Sequence, residues 1–237
     1  MEQIRPLVGP PADPGPAEAP PADPPPAAPP LVWYAAYGSN MHAGRLACYL
    51  RGGRPEEGER DYPGCRDARP PRRSVPVRLP GLLYFALESR TWGGGMALHD
   101  PQRPGTVPAR AYLLTAEQFS DIAAQEMGGG PGADLDLATV LRTGRDPQGP
   151  GRYQTLVCPG TLDGVPVLTF TAPWSLAEAP LNPPRARYLR NLATGLAEAH
   201  GWSPRRTAAY LSTRPGAAGH WTVDTLLAAL AGRRTGG

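Results

Sequence analysis

Leu-Val-Trp-Tyr-Ala-Ala-Tyr-Gly-Ser-Asn-Met, residues 31 to 41, joins an apolar run to a glycine and two residues that favour helix caps. The apolar and aromatic residues favour a β-strand. Gly38 allows main-chain conformations that other residues avoid and lets the backbone approach a ligand closely. The stretch predicts a strand, a tight turn and a helix from Asn40 to Arg51. The amides of Ser39, Asn40 and Met41 would then be unpaired and could bind a carboxylate or an oxyanion, although many such turns are purely structural.

The composition divides the chain into a tail and a folded body. Residues 1–30 contain 12 of the 32 prolines and almost no large apolar residue, so we expect this segment to be a disordered tail whose removal leaves fold and turnover intact. The predicted domain covers residues 31–215, and residues 216–237 form a C-terminal helix and tail. The three cysteines have no metal-knuckle spacing, which favours reduced thiols.

Charge and hydropathy exclude several classes of protein. The net charge is +3 and all 24 basic residues are arginine, so mechanisms that need a lysine are excluded. No apolar run reaches the length of a membrane span, and the N-terminal segment lacks the apolar region of a signal peptide. We therefore expect a cytoplasmic protein. An arginine cluster, residues 66–73, lies beside acidic residues and lacks interleaved aromatic residues, so we expect no nucleic acid and no membrane among its partners.

Glu126 is a carboxylate beside the apolar face of a predicted helix in the middle of the chain. Thr115 is a predicted N-cap for a helix from Ala116 to about Met127, and Phe119 and Ile122 mark its apolar face. Glu126 falls beside that face, where a surface glutamate is the ordinary interpretation. The glycine-rich segment 128–151 follows it directly and resembles a loop insertion with a short helix at residues 135–142. A loop in this position could close over a substrate.

Further strands and helices are predicted on both sides of this helix. Apolar or alternating runs indicate strands at residues 81–87, 107–114, 152–159 and 165–172, with Asp163-Gly164 as a hairpin turn. Helical spacing indicates helices at residues 183–200, from 204 to 211, and a small amphipathic one at 221–231. This order has no strict β-α-β repeat, so it indicates an α+β protein.

Three motifs together resemble the gamma-glutamylcyclotransferase family. They are Tyr37-Gly38-Ser39-Asn40 after an apolar strand, Trp92-Gly93-Gly94-Gly95-Met96-Ala97, and Gln125-Glu126 after a short helix. The resemblance implies an α+β fold in which a small mixed parallel and antiparallel β-barrel is flanked by helices. It implies that Glu126 is catalytic, although Met127 stands where the family has glycine. The implied substrate-binding residues are Tyr37, Gly38, Ser39, Asn40, Tyr153 and Tyr188.

The resemblance implies a cyclotransferase that converts a gamma-glutamyl amide to 5-oxoproline and a free amine. Glu126 would act as general acid and base in an intramolecular aminolysis, with no cofactor and no metal. The expected partner is a small-molecule gamma-glutamyl substrate of unspecified leaving amine, and the sequence does not indicate an oligomeric state.

Two alternatives remain open at this stage. The first is a catalytically silent metabolite-binding or interaction module of the same fold. The second is a metal-dependent amidohydrolase or deacetylase, which needs histidine and carboxylate ligands at close spacing. His42, His99, His200 and His220 are scattered along the chain, which argues against the second alternative.

Overall fold

The computed structural model describes residues 2–6, 30–55 and 61–232. Most of the predicted disordered tail and the last five residues lie outside these ranges. The strands are β1 (Leu31–Ala36), β2 (Arg73–Pro80), β3 (Leu82–Ala86), β4 (Met96–Asp100), β5 (Thr106–Thr115), β6 (Arg145–Pro147), β7 (Thr155–Leu162) and β8 (Val165–Thr171). The α-helices are α1 (Ala43–Arg51), α2 (Ala116–Glu126), α3 (Ala138–Thr143), α4 (Ala186–His200), α5 (Pro204–Leu211) and α6 (Val223–Ala231).

Six strands form one mixed sheet in the order β2-β5-β1-β8-β7-β6, and β3 and β4 form a separate antiparallel ribbon. The central strand β1 is antiparallel to β5 and parallel to β8. The ribbon contacts both β5 and β8. The Thr171 hydroxyl of β8 accepts from the amide of His99 at 3.1 Å and donates to its carbonyl at 2.6 Å. The α+β prediction with a mixed sheet flanked by helices is confirmed, and this side-chain bridge links the ribbon to the sheet.

Alternate side chains of β1 belong to two different hydrophobic cores, one on each face of the sheet. Successive side chains of a strand point to opposite faces of the sheet. Trp33 and Ala35 pack with the ribbon and with α4, α5 and α6, whereas Val32 and Tyr34 pack with α1, α2 and α3. Helices on both faces therefore bury β1, and the end of this strand lies between the two helical layers.

Two strands of the six-stranded sheet were not predicted from the sequence. Residues 73–80 contain two prolines within a proline-rich region, yet they form β2 along the length of β5. Proline lacks an amide donor and is tolerated on an edge strand, and β2 is the edge of this sheet. The short strand β6 pairs with β7 at the opposite edge. The predicted long helices begin and end within a few residues of the observed ones, and the helix predicted from Asn40 is one 3₁₀ turn, Ser39–Met41, followed by α1.

Both terminal parts of the described chain contact the domain. Arg5 exchanges two main-chain hydrogen bonds of 2.8 Å with Thr161 of β7, and Ile4 packs against the core around Trp33. Near the other end, Leu226 of α6 is fully buried against the same core. Residues 2–6 therefore differ from the expectation of a disordered tail. Within the described ranges, no helix has the length and apolar character that a membrane crossing requires.

Candidate active site

Helix α2 places Glu126 at its last position. The Thr115 hydroxyl accepts from the Gln118 amide at 3.1 Å, and the Gln118 side chain accepts from the Thr115 amide, so a capping box begins the helix at Thr115, the predicted N-cap. At the other end, the Gln125 amide group donates to the carbonyl oxygens of Tyr49 and Gly64 at 3.1 and 3.2 Å. Because Gln125 is buried and anchored in this way, the end of α2 is held against α1 and the Glu126 side chain is directed to the β1 turn.

The turn after β1 is held by hydrogen bonds to its carbonyl groups. The Tyr112 hydroxyl lies 2.9 Å from the Asn40 carbonyl oxygen and 3.0 Å from that of Met41. The Met41 amide donates to the Gly38 carbonyl at 3.1 Å, so the prediction that this amide is unpaired is wrong, because a 3₁₀ turn uses it. Within the described chain, no hydrogen bond uses the amides of Gly38, Ser39 or Asn40.

One hydrogen bond joins the turn to the candidate catalytic carboxylate. The side-chain nitrogen Nδ2 of Asn40 donates to Glu126 Oε1 at 2.9 Å and to the Tyr34 hydroxyl at 3.3 Å. Asn40 is only 3% exposed, whereas Glu126 is half-buried. The two residues are far apart in sequence, and this contact brings the first and third motifs together. It orients one carboxylate oxygen and leaves the other free for a ligand.

The motif Trp92–Ala97 holds two of the predicted substrate-binding tyrosines through hydrogen bonds of Ala97. The amide of Ala97 donates to the Tyr188 hydroxyl at 3.1 Å, and the Tyr153 hydroxyl donates to the Ala97 carbonyl at 3.2 Å. Gly95, just before this strand segment, has no space for a side chain because a Cβ atom would overlap the Asn182 carbonyl oxygen. The triple glycine thus allows close backbone packing, and β4 holds both tyrosines in place.

Burial keeps these tyrosines protonated. The pKa values of Tyr37, Tyr153 and Tyr188 all lie above their ordinary value, first because burial disfavours the phenolate and further because the negative charge of Glu126 opposes it. The Tyr37 hydroxyl donates to the Phe170 carbonyl at 2.9 Å. The tyrosines can therefore act as neutral hydrogen-bonding groups but are poorly suited to act as bases.

A cavity of about 780 Å³ opens next to Glu126. Its walls come from the segment after β3, the end of α2 and the segment before β7; the lining residues are Leu87, Ser89, Arg90, Thr91, Glu126, Met127, Gly128, Pro150, Gly151, Arg152, Tyr153, Gln154 and Trp174. Glu126 is the acidic residue in this lining, which also contains two arginines, Arg90 and Arg152, that have no ion-pair partner within the described chain. The volume suits a small metabolite.

The predicted site residues separate into two groups. Glu126 and Tyr153 line the cavity itself. Tyr37, the Gly38-Ser39-Asn40 turn and Tyr188 do not line it, and they connect to it through the contact between Asn40 and Glu126. The segment 128–151 contributes its two ends to the cavity wall, while Gly132 in its first half is held to the buried carboxylate of Asp121.

Sequence reasoning missed Arg45, Arg90 and Arg152. Arg45 is buried beside the turn, and its Nε donates to the Ser39 hydroxyl at 2.9 Å. Its position five residues after Asn40 on a predicted helix could have drawn attention to it, because an arginine on the buried face of a helix is unusual. No local pattern distinguishes Arg90 and Arg152 from the other arginines, since only the tertiary structure brings them to one cavity.

Comparisons with known proteins provide further observations. No protein-family profile matches the chain. The chain is similar to a protein named Histone deacetylase 5 from Arabidopsis thaliana, with 33% identity over 198 residues. That match covers 76% of this chain but only 30% of the plant protein.

Two solved structures are also similar to this chain, both with a TM-score of 0.44. One is an uncharacterized protein from Homo sapiens, 15% identical, covering 84% of this chain and 98% of that protein. The other is a gamma-glutamyl cyclotransferase, 16% identical, covering 83% of this chain and 98% of that one.

Proposed function

We propose that the protein is a gamma-glutamylcyclotransferase-like enzyme that releases 5-oxoproline and an amine from a gamma-glutamyl amide. The observation that carries the proposal is the 2.9 Å hydrogen bond between Asn40 and Glu126. It places a single, oriented carboxylate between a glycine-containing turn and a cavity of about 780 Å³. These are the parts that the motif resemblance assigns to catalysis and to substrate binding.

One carboxylate can carry the proton transfers of this reaction. Glu126 accepts a proton from the α-ammonium group of the substrate, and the freed amine attacks the γ-carbonyl carbon to form the ring C–N bond. Glu126 passes this proton to the leaving nitrogen while the original amide C–N bond breaks, and it then takes the second proton from the ring nitrogen and delivers it to the departing amine, which leaves as an ammonium ion. The nucleophile and electrophile belong to one molecule, so the site need not position a separate nucleophile.

The turn and the tyrosines supply binding in this proposal. The amides of Gly38, Ser39 and Asn40 would donate to the substrate carboxylate or to the oxyanion that forms on the γ-carbonyl oxygen. Tyr37, Tyr153 and Tyr188 would enclose the glutamyl part as neutral hydrogen-bonding side chains. The scheme requires no cofactor and no metal.

Two arginines in the lining of the cavity bear on the choice of leaving amine. Arg90 is exposed and Arg152 is half-buried, and both line the cavity. Arginine pairs favourably with carboxylates. We therefore expect leaving amines that carry a carboxylate, such as an amino acid or a peptide, to be used better than neutral amines.

The deacetylase activity in the plant relative's name is a second candidate, and the residues favour it less. Within the described ranges, no group of three or more His, Cys, Asp or Glu side chains could hold a metal ion. The matched segment is also less than a third of the plant protein, so the rest of that protein can carry the named activity. Stoichiometric zinc in purified protein, together with deacetylation of an acetylated peptide, would favour this candidate.

The first test is a panel of gamma-glutamyl compounds assayed for 5-oxoproline release with wild type and Glu126→Gln. We expect the substitution to lower kcat at least about 1,000-fold, because the amide cannot accept the proton. Glu117→Gln is the matched control, since Glu117 is half-buried on the first turn of the same helix, does not line the cavity and should retain full turnover. Full turnover by Glu126→Gln would refute the mechanism, and a protein that binds panel members without turnover would be the silent module.

A further inference from the structure

Arg45 is a buried cation inside an aromatic cluster. The residue is 4% exposed, and its guanidinium carbon lies 4.9 Å from the ring centroid of Trp92, 5.5 Å from that of Tyr62 and 5.8 Å from that of Tyr49. Cation–π contacts of this kind stabilise a desolvated charge only in part. Within the described chain, no carboxylate oxygen lies within ion-pair distance of Arg45.

The hydrogen bonds of Arg45 leave one nitrogen unused. Nε donates to the Ser39 hydroxyl at 2.9 Å, and Nη2 donates to the Tyr62 hydroxyl at 2.6 Å. Nη1 is buried and has no hydrogen-bond partner among the described residues. A guanidinium nitrogen that is buried without an acceptor carries a desolvation cost, which an incoming anion would offset.

The unused nitrogen belongs to the same part of the site as the turn and the carboxylate. Arg45 is bonded directly to Ser39, and the charge of Glu126 acts on both Arg45 and Tyr188. The Tyr188 hydroxyl in turn lies against Gly38, 3.6 Å from where a Cβ atom would be. Burial opposes the charge of Arg45, yet the surrounding Tyr49, Tyr62 and Glu126 hold its pKa above the ordinary value. The cation is therefore permanent.

We propose that Arg45 Nη1 is the counter-ion for a carboxylate bound at the Gly38-Ser39-Asn40 turn. The amides of the turn would supply neutral donors to the same group, and Arg45 would supply the positive charge that the turn lacks. The identity of the ligand rests on the proposed function, under which this group is the α-carboxylate of the gamma-glutamyl substrate. The positive charge of Arg45 then also offsets part of the repulsion between the ligand carboxylate and the carboxylate of Glu126.

A purely structural role for Arg45 predicts a different result. If its cation–π contacts only hold α1 against Trp92, replacing it should weaken every ligand equally and lower stability. If Nη1 binds a carboxylate, replacing it should weaken only ligands that carry that carboxylate. The ratio of two affinities therefore separates the roles, because a general loss of order cancels in the ratio.

The test compares 5-oxoproline with 2-pyrrolidinone, which is the same ring without the carboxylate, by titration calorimetry or ligand-observed NMR. The variants are Arg45→Met, which removes the charge at similar volume, and Arg45→Lys, which keeps it. Arg51→Met, exposed on the last turn of the same helix, is the control. Thermal unfolding of each variant confirms that it is folded.

We expect wild type and Arg51→Met to bind 5-oxoproline much more tightly than 2-pyrrolidinone. In Arg45→Met the dissociation constant for 5-oxoproline should rise about 10- to 100-fold, the range for a charge-assisted hydrogen bond, and that for 2-pyrrolidinone should stay within about twofold. Arg45→Lys should fall between, because one ammonium group cannot bond Ser39 and reach the ligand as a guanidinium does.

An unchanged affinity ratio in Arg45→Met would overturn the inference, and so would a wild type that does not discriminate between the two rings. Turnover measured on the same samples keeps the two proposals apart. Release of 5-oxoproline with an unchanged ratio would leave the cyclotransferase standing without Arg45. A ratio that collapses in Arg45→Met, in a protein that turns over no panel compound, would support the anion site and refute the proposed reaction.

Discussion

Asn40 is the residue on which the candidate site depends most. Its side-chain nitrogen donates a hydrogen bond to Glu126, while its main-chain carbonyl oxygen accepts one from the Tyr112 hydroxyl. Its side-chain oxygen is buried without a partner within the described chain, so this atom is available to a ligand group that donates, such as the substrate ammonium. The residue thus connects the turn, the carboxylate and the space between them.

Removing the side-chain amide group of Asn40 should impair turnover more than folding. For Asn40→Ala we expect kcat to fall about 10- to 100-fold, because Glu126 loses the donor that orients it and the rotamer freedom of the carboxylate increases. Steady-state kinetics of 5-oxoproline release would measure this, and Asn191→Ala, a buried asparagine on α4, is the control for general loss of packing. Equal kinetic losses in the two variants would show that Asn40 has no specific role.

His99 makes the stability of the protein sensitive to acid. The residue is 1% exposed, its Nε2 lies 2.7 Å from the Pro80 carbonyl oxygen, and burial lowers its pKa below the ordinary value. The unfolded chain takes up this proton near pH 6.5, while the folded protein resists it to a lower pH. The unfolded state therefore binds more protons in that window, so the stabilisation is present above about pH 6.5 and is lost as the pH falls.

Urea unfolding at pH 7.5, 6.5 and 5.5 would measure this dependence. In wild type we expect the free energy of unfolding to decrease as the pH is lowered from 7.5 to 5.5. The decrease should be smaller in His99→Gln, which has no titrating ring. His220→Gln, at an exposed position, should keep the wild-type slope. A slope that is the same in wild type and His99→Gln would contradict the prediction.

At the scale of elements, α4 and the β1 turn meet at a glycine. Gly195 lies in the middle of α4, and a Cβ atom built on it would be 2.5 Å from the Met41 Cβ and 2.9 Å from the His42 amide nitrogen. Glycine weakens a helix interior by about 0.5 to 1 kcal/mol relative to alanine. Its presence here is explained by the close approach of the helix backbone to the turn.

Gly195→Ala should therefore displace the turn despite improving the intrinsic helix propensity. We expect a loss of about 1 to 3 kcal/mol of stability from overpacking, and a lower kcat because Asn40 precedes Met41 directly. Gly44→Ala is the matched control, since Gly44 is exposed on α1 and its Cβ would meet only the flexible His42 ring, at 3.4 Å. That variant should be as stable as wild type or slightly more stable. Denaturant unfolding and kinetics of both variants test the prediction.

At the scale of the whole molecule, the N-terminal residues attach far from the turn. Arg5 pairs with Thr161 beside the hairpin that ends β7, and the indole of Trp33, near the beginning of β1, donates to the carbonyl of Leu162 at 3.0 Å. Glu126 lies next to the turn at the opposite end of β1. A Cβ atom at Gly160 would overlap the Arg5 carbonyl, so this glycine permits the attachment.

Deleting residues 1–6 should lower stability without changing turnover. The two hydrogen bonds of Arg5 and the packing of Ile4 are lost, for which we expect about 1 to 2 kcal/mol, while the catalytic turn keeps all its contacts. Urea unfolding and kinetics of the truncated protein, compared with the full chain, would measure both quantities. An unchanged unfolding free energy would restore the expectation that the whole tail is inert, and a loss of kcat would link the segment to the site.

Local patterns in the sequence predicted most of the secondary structure, and the resemblance of the three motifs singled out the candidate catalytic residue. The cap at Thr115, the apolar spacing of α2 and the strand before Gly38 are short-range features, so they can be recognised without a fold. The edge strand β2 could not, because its prolines disfavour a strand locally and only its position at the sheet edge accommodates them.

The amino-acid sequence by itself determined most of the strands and helices, the α+β class and the three motifs, because each depends on residues near one another in the chain. Only the tertiary structure decided that Asn40 meets Glu126, that Ala97 holds two tyrosines, and that Arg45 retains an unused donor beside the turn. These contacts join residues from separate elements. Their energies depend on burial and distance, which no local pattern encodes.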